Sequence, residues 1–114
     1  AKAQLFVKGE KEPLKFCSVK DGFVYVLQPE NASRTVAFYV SDFGNKKDVP
    51  LHEKMLTAQK AFFNAGSDVR GAMGKSILPF ATKEEVQAFT KEHGGTIVNY
   101  SEVKFELLKS LKGH

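Results

Sequence analysis

At 114 residues, with 42% hydrophobic residues and ten phenylalanines, the chain is long enough to fold as one domain around a sizeable core. Its net charge of +4 comes from lysines dispersed along the sequence, with Arg34 and Arg70 the only arginines, which indicates a solvated basic surface and no nucleic-acid partner. The single cysteine, Cys17, excludes an internal disulfide and zinc sites built from paired cysteines, and no apolar run is long enough to span a membrane.

The chain opens at Ala1 with no signal-peptide pattern and runs straight into the strand-like Ala3-Gln4-Leu5-Phe6-Val7. Residues upstream of it are therefore expected to have been removed or to lie outside this sequence. Ser18, followed three residues later by Asp21, reads as a helix cap in which the hydroxyl accepts a backbone N–H and the carboxylate favours the helix N-terminus. That helix ends near Gln28, because Pro29 disfavours helical backbone at the residue before it. Val36 to Val40 reads as a strand, and Gly44 to Pro50, charged and aperiodic, as a loop. Between Leu51 and Gly66, the residues Met55, Leu56, Ala58, Ala61, Phe62 and Phe63 fit a helix in part. A strand from about Leu56 to Asn64 is the expectation there. Thr82 and Glu85 cap a second helix, which the glycines of His93-Gly94-Gly95 terminate, and Thr96 to Tyr100 follows as a strand. At the C-terminus Val103, Leu107 and Leu111 share a helical face. A short strand or helix from Val103 to Leu108 is expected, then a frayed basic tail.

The two capped segments are alike. Leu14 matches Leu78, Phe16 matches Phe80 and Ser18 matches Thr82 at one constant offset. The endings echo as well, Ser41-Asp42-Phe43 against Ser101-Glu102-Val103. The repeated unit is strand, helix, strand, with a further strand ahead of it. This predicts an α+β fold in which two similar halves, about 1–50 and 51–114, pack as one compact unit on a shared core.

Candidate chemistry is sparse. Met73 sits in the polar, glycine-rich stretch Ser67 to Lys75, without an apolar neighbour until Ile77. Flanking glycines let the backbone bend and bring a ligand close, and a thioether displayed there can bind a soft ion such as Cu(I); the alternative is a methionine folded back as a lid on the core. Cys17 directly precedes the Ser18 cap, where a helix N-terminus favours a thiolate. It is a candidate soft-metal ligand or nucleophile, or, like its repeat partner Ala81, a small core residue. His93 is expected to cap a helix C-terminus, His52 to be exposed, Met55 to pack in the core and His114 to lie in the tail. Glu84, Glu85 and Glu92 read as solvated helix charges, not as an acid/base pair.

Three stretches, Phe16-Cys17-Ser18-Val19-Lys20-Asp21, Leu27-Gln28-Pro29-Glu30-Asn31 and Ala37-Phe38-Tyr39-Val40-Ser41-Asp42, together resemble the NosL family. So do Gly71-Ala72-Met73-Gly74, Pro79-Phe80-Ala81 and Lys91-Glu92-His93-Gly94-Gly95, in matching order over nearly the whole chain. The resemblance implies two related ββαβ halves, akin to the organomercurial lyase fold. It implies a Cu(I) chaperone, not an enzyme: a monomeric periplasmic lipoprotein held at the outer membrane by an N-terminal lipid anchor outside this sequence. Its role would be copper delivery for the maturation of nitrous oxide reductase, with an ABC transporter as a partner in the assembly machinery. Met73 matches the methionine of the family's Met-Gly segment and Cys17 the cysteine of its Phe-Cys-Ser segment, the latter as ligand or as packing residue. Two departures stand out. The family's upstream Cys-x-x-Cys-Gly-Met-like segment precedes this sequence, and its His-Asp-Met segment reads Ser41-Asp42-Phe43 here. Two other classes remain as alternatives: a Cys17-based enzyme of organomercurial-lyase-like fold, and a metal-free interaction module in which Met73 is a hydrophobic contact.

Overall fold

A computed structural model describes residues 2–44, 55–71 and 74–111. Two antiparallel sheets alternate with helices. The first unit runs β1 (Ala3–Val7), β2 (Leu14–Phe16), α1 (Val19–Val26), a single turn α2 (Pro29–Ala32) and β3 (Thr35–Ser41). After it come β4 (Met55–Thr57) and a 3₁₀ turn at Ala58–Lys60. The second unit runs β5 (Phe62–Gly71), β6 (Gly74–Phe80), α3 (Lys83–His93) and β7 (Thr96–Asn99), followed by a 3₁₀ turn at Tyr100–Glu102 and α4 (Phe105–Ser110). The sheet orders are β2-β1-β3-β4 and β6-β5-β7. In each unit the first strand is central and pairs antiparallel with the second and with the strand after the helix. The expected ββαβ duplication is therefore present as topology.

The constant offset marks equivalent positions. Phe16 and Phe80 end β2 and β6. Ser18 and Thr82 are the N-caps of α1 and α3, their hydroxyls accepting from the backbone N–H of Asp21 at 3.1 Å and of Glu85 at 3.2 Å. Thr82 also donates its hydroxyl to the Glu85 carboxylate at 3.0 Å. A fully reciprocal capping box lies elsewhere: Asn99 accepts from the Glu102 N–H while Glu102 accepts from the Asn99 N–H at 2.8 Å. The spacing Asn99-x-x-Glu102 carried that signal.

A continuous strand from Leu56 to Asn64 is not what forms. Met55–Thr57 completes the first sheet and Phe62 opens the second, with the 3₁₀ turn between them. The buried pair Ala58 and Ala61, three residues apart, suits that tighter helix, and alternation resumes only beyond it. Of the polar stretch Ser67 to Lys75, residues 67–71 belong to β5 and residues 74–75 to β6. Strands β5 and β6 pair as far as Gly71↔Gly74. Pro79 lies on β6, an edge strand, where a missing N–H breaks no ladder, and its carbonyl accepts from Phe43 N–H at 2.8 Å.

Helix α1 lies between the two sheets. Phe23 packs edge-on against Phe38 of the first sheet at 5.1 Å and against Phe63 of the second at 5.4 Å, with Tyr100 at 5.5 Å. Gly22 makes this approach possible, since a Cβ there would lie 3.0 Å from Ala3 Cβ and 3.2 Å from the Phe38 ring. The close contact outweighs the roughly 1 kcal/mol by which glycine disfavours a helix interior. Helix α3 covers the other face of the second sheet through a smaller cluster of Leu78, Phe80, Val86 and Phe89. The order of layers is first sheet, α1, second sheet, α3.

Candidate functional site

Cys17 sits between the end of β2 and the Ser18 cap of α1, and it is exposed. The core alternative for this residue is therefore overturned, and Ala81 is exposed too. The constant offset explains both: each follows the last strand residue and precedes a cap, where the chain turns out of its sheet. An exposed thiol is open to a soft ion without displacement of packed neighbours.

Met73 lies outside the described residues. Its neighbours in sequence are placed: Gly71 and Gly74 are the last paired residues of the β5–β6 hairpin. His52 and His114 also fall outside the described residues, and Met55 is half-buried in β4. Among the described residues, no group of three or more His, Cys, Asp and Glu side chains is placed to hold a metal ion.

Both residues that depart from the family's His-Asp-Met segment have structural occupations. Ser41 is buried, its hydroxyl accepting from Lys2 N–H at 2.7 Å and so holding the start of β1 against β3. Phe43 packs edge-on against Phe80 at 5.9 Å and Phe89 at 5.6 Å. These three rings line an open groove of about 640 Å³ together with Glu85, Lys91 and Glu92. Spacing did not reveal the groove, because Phe43 reaches it from the other half of the chain.

His93 does more than end α3. Its ring stacks on Phe89 at 4.5 Å, and Nδ1 meets the Asp68 carboxylate at 2.9 Å. The helix cap itself is Gly94, whose N–H donates to Thr90 C=O. Asp68 reaches His93 because β5 carries a register shift between Ala65 and Arg70, with Gly66 at φ +81°. Beneath this contact the buried Asn64 donates to Thr90 Oγ1 at 2.8 Å and Gly94 C=O at 3.0 Å. Bulge, helix end and β7 are thus tied at one point.

The family model described as NosL matches residues 1–108. The chain belongs to the NosL family. Among NosL relatives, the copper-binding lipoprotein NosL of Achromobacter cycloclastes is 34% identical over 106 residues, spanning 90% of this chain and 55% of the relative. The copper-binding lipoprotein NosL of Stutzerimonas stutzeri is 32% identical over 96 residues, spanning 83% and 50%. The chain thus spans about half the length of these two NosL relatives. The crystal structure of the copper chaperone NosL from Shewanella denitrificans superposes with a TM-score of 0.82 at 29% identity, covering 92% of this chain and 79% of that one. The solution structure of apo-NosL from Achromobacter cycloclastes gives 0.66 at 31% identity, covering 93% and 87%.

Proposed function

We propose that this NosL chain is a single domain, with halves about 1–50 and 51–114, that binds Cu(I) and delivers it for the maturation of nitrous oxide reductase. The observation that carries the proposal is the exposed Cys17 thiol ahead of the α1 cap, in a chain whose named relatives are copper-binding lipoproteins and a copper chaperone. Cys17 supplies a thiolate and Met73, between the paired Gly71 and Gly74, a thioether. Cu(I) prefers both donors, whereas Zn(II) favours nitrogen and thiolate sets. A thioether carries no proton, so ligation through Met73 persists at low pH while thiolate ligation weakens as the thiol protonates. A thiolate from a segment upstream of residue 1 completes the set. Copper is cargo here, held by few soft ligands and released to the assembly machinery, in which an ABC transporter is the docking partner. The site of action is the periplasm, with the intact lipoprotein anchored at the outer membrane.

Anaerobic Cu(I) titration against a competing chelator tests this. Wild type is expected to take up one ion, and Met73→Ala and Cys17→Ser each to bind at least ten times more weakly. Uptake unchanged in both variants would remove the site from these residues and the proposal with it.

A further inference from the structure

Among the described residues, no helix packs on the outer face of the first sheet, and its composition is not that of a merely solvated surface. Along β1, Ala3, Leu5 and Val7 are buried, so Gln4 and Phe6 point away from the core, and the exposed Lys2 and Lys8 continue that alternation at either end. On β2, Leu14 and Phe16 pack on the core and Lys15 faces out beside Gln4. On β3, Phe38 and Val40 are buried, while Ala37 lies opposite Phe6 and Tyr39 opposite Gln4. Thr57 of β4 extends the row from Tyr39. Phe6 is 38% exposed and meets Tyr39 edge-on at 5.8 Å. The face therefore presents two aromatic rings framed by Lys2, Lys8 and Lys15, while the β1–β2 connection beyond Lys8 carries exposed Lys11 together with exposed Glu10 and Glu12. The far layer is different: α3 mixes both signs, exposing Lys83 and Lys91 with Glu84 and Glu92, and Asp68 is exposed beside its end.

We propose that this face lies against anionic lipid headgroups. The inference rests on the envelope-anchored part of the function above. Charge complementarity selects the partner. One sheet face sets three lysines toward the same side, their stems lying along apolar area and their ammonium groups reaching phosphate. Tyrosine and phenylalanine between them have the composition of a membrane interface. In this orientation α3 and the Phe43–Phe80–Phe89 groove face away from the bilayer.

Co-sedimentation with vesicles of 70:30 phosphatidylcholine and phosphatidylglycerol, against pure phosphatidylcholine, reads the contact at 50 and 500 mM NaCl. Binding is expected to the anionic vesicles alone and to fall at high salt. The triple variant Lys2→Gln, Lys8→Gln, Lys15→Gln should lower partitioning by about fivefold per lysine, roughly a hundredfold in all. The triple variant Lys83→Gln, Lys91→Gln, Lys104→Gln carries the same net charge and should bind as wild type does. Circular dichroism confirms that both variants fold. No binding to anionic vesicles overturns the proposal. So does equal loss in both variants, which would mark a response to net charge alone, and so does binding only to an acidic protein surface. Cu(I) uptake by the same proteins is read separately, so failure here leaves the copper proposal standing.

Discussion

Replacing Gly95 by alanine should be far more damaging than the same change at its neighbour. Gly9, Gly94 and Gly95 all have positive φ, at +88°, +76° and +95°. An L-residue in such a conformation is strained by about 1–3 kcal/mol, and Gly94, at ψ −167°, lies in a region essentially reserved to glycine. At Gly9 and Gly94 nothing lies within 4 Å of the position a Cβ would take, so strain is the whole effect. At Gly95 the Cβ would fall 2.8 Å from Asn64 Oδ1, 2.9 Å from Ala65 O and 2.9 Å from Ser67 N. Two of these are backbone atoms of β5 and cannot swing aside. Asn64 is itself held by its two bonds to Thr90 and Gly94. Overpacking of this kind adds about 1–3 kcal/mol, giving roughly 2–6 kcal/mol in all. Against a total stability of about 6–17 kcal/mol expected for a chain of 114 residues, that is a large share. Urea unfolding of the three single variants is the assay, with stability taken from the midpoint at unchanged slope. A Gly95→Ala protein as stable as Gly94→Ala would refute the close approach between β5 and the start of β7.

Phe23→Ala should cost about 3–5 kcal/mol by urea unfolding, because the fully buried ring bridges both sheets, whereas Phe6→Ala on the open face should cost well under about 1.5 kcal/mol. Cys17→Ser should leave unfolding within about 0.5 kcal/mol of wild type, since the thiol is exposed, and a larger loss would return it to a packing role. Burial raises the Tyr100 hydroxyl above its ordinary value of 10.0. The unfolded chain then gives up that proton first as pH rises, so the contribution is intact below about pH 10 and is lost as pH climbs through the folded value. Tyr100→Phe should flatten this alkaline decline in thermal melts, and an unchanged slope would count against burial as its cause.

Local chemistry was the legible part of the sequence. Ser18 and Thr82 announced both caps, Gly94-Gly95 announced the end of α3, and the matched Leu-x-Phe-x-Ser/Thr pattern announced the duplication, because each is settled within a few residues of chain. What was hidden depends on distant partners. Leu56 to Asn64 has the apolar content of one strand, and only the passage from one sheet to the other breaks it at Ala58. His93 looked like a helix-end cation; its partner Asp68 is brought to it by a bulge that local pattern does not encode. Cys17 was balanced between ligand and core because a helix N-terminus favours a thiolate while its repeat partner Ala81 suits a small core residue, and the turn out of the sheet decides for exposure. The Phe43 groove draws on residues from both halves and was silent in either alone.

The place of α1 bears on how such a duplicated chain can arise. Phe23 belongs to the first ββαβ unit, yet one side of its ring is covered by Phe63 of the second. A lone copy of the unit would leave that side of its helix wet, and would need a second copy to cover it. Gene fusion would then have converted an intermolecular contact, dependent on concentration, into a tethered one that is not. Once tethered, the two copies were free to diverge, one helix becoming the apolar filling between sheets and the other the charged outer layer.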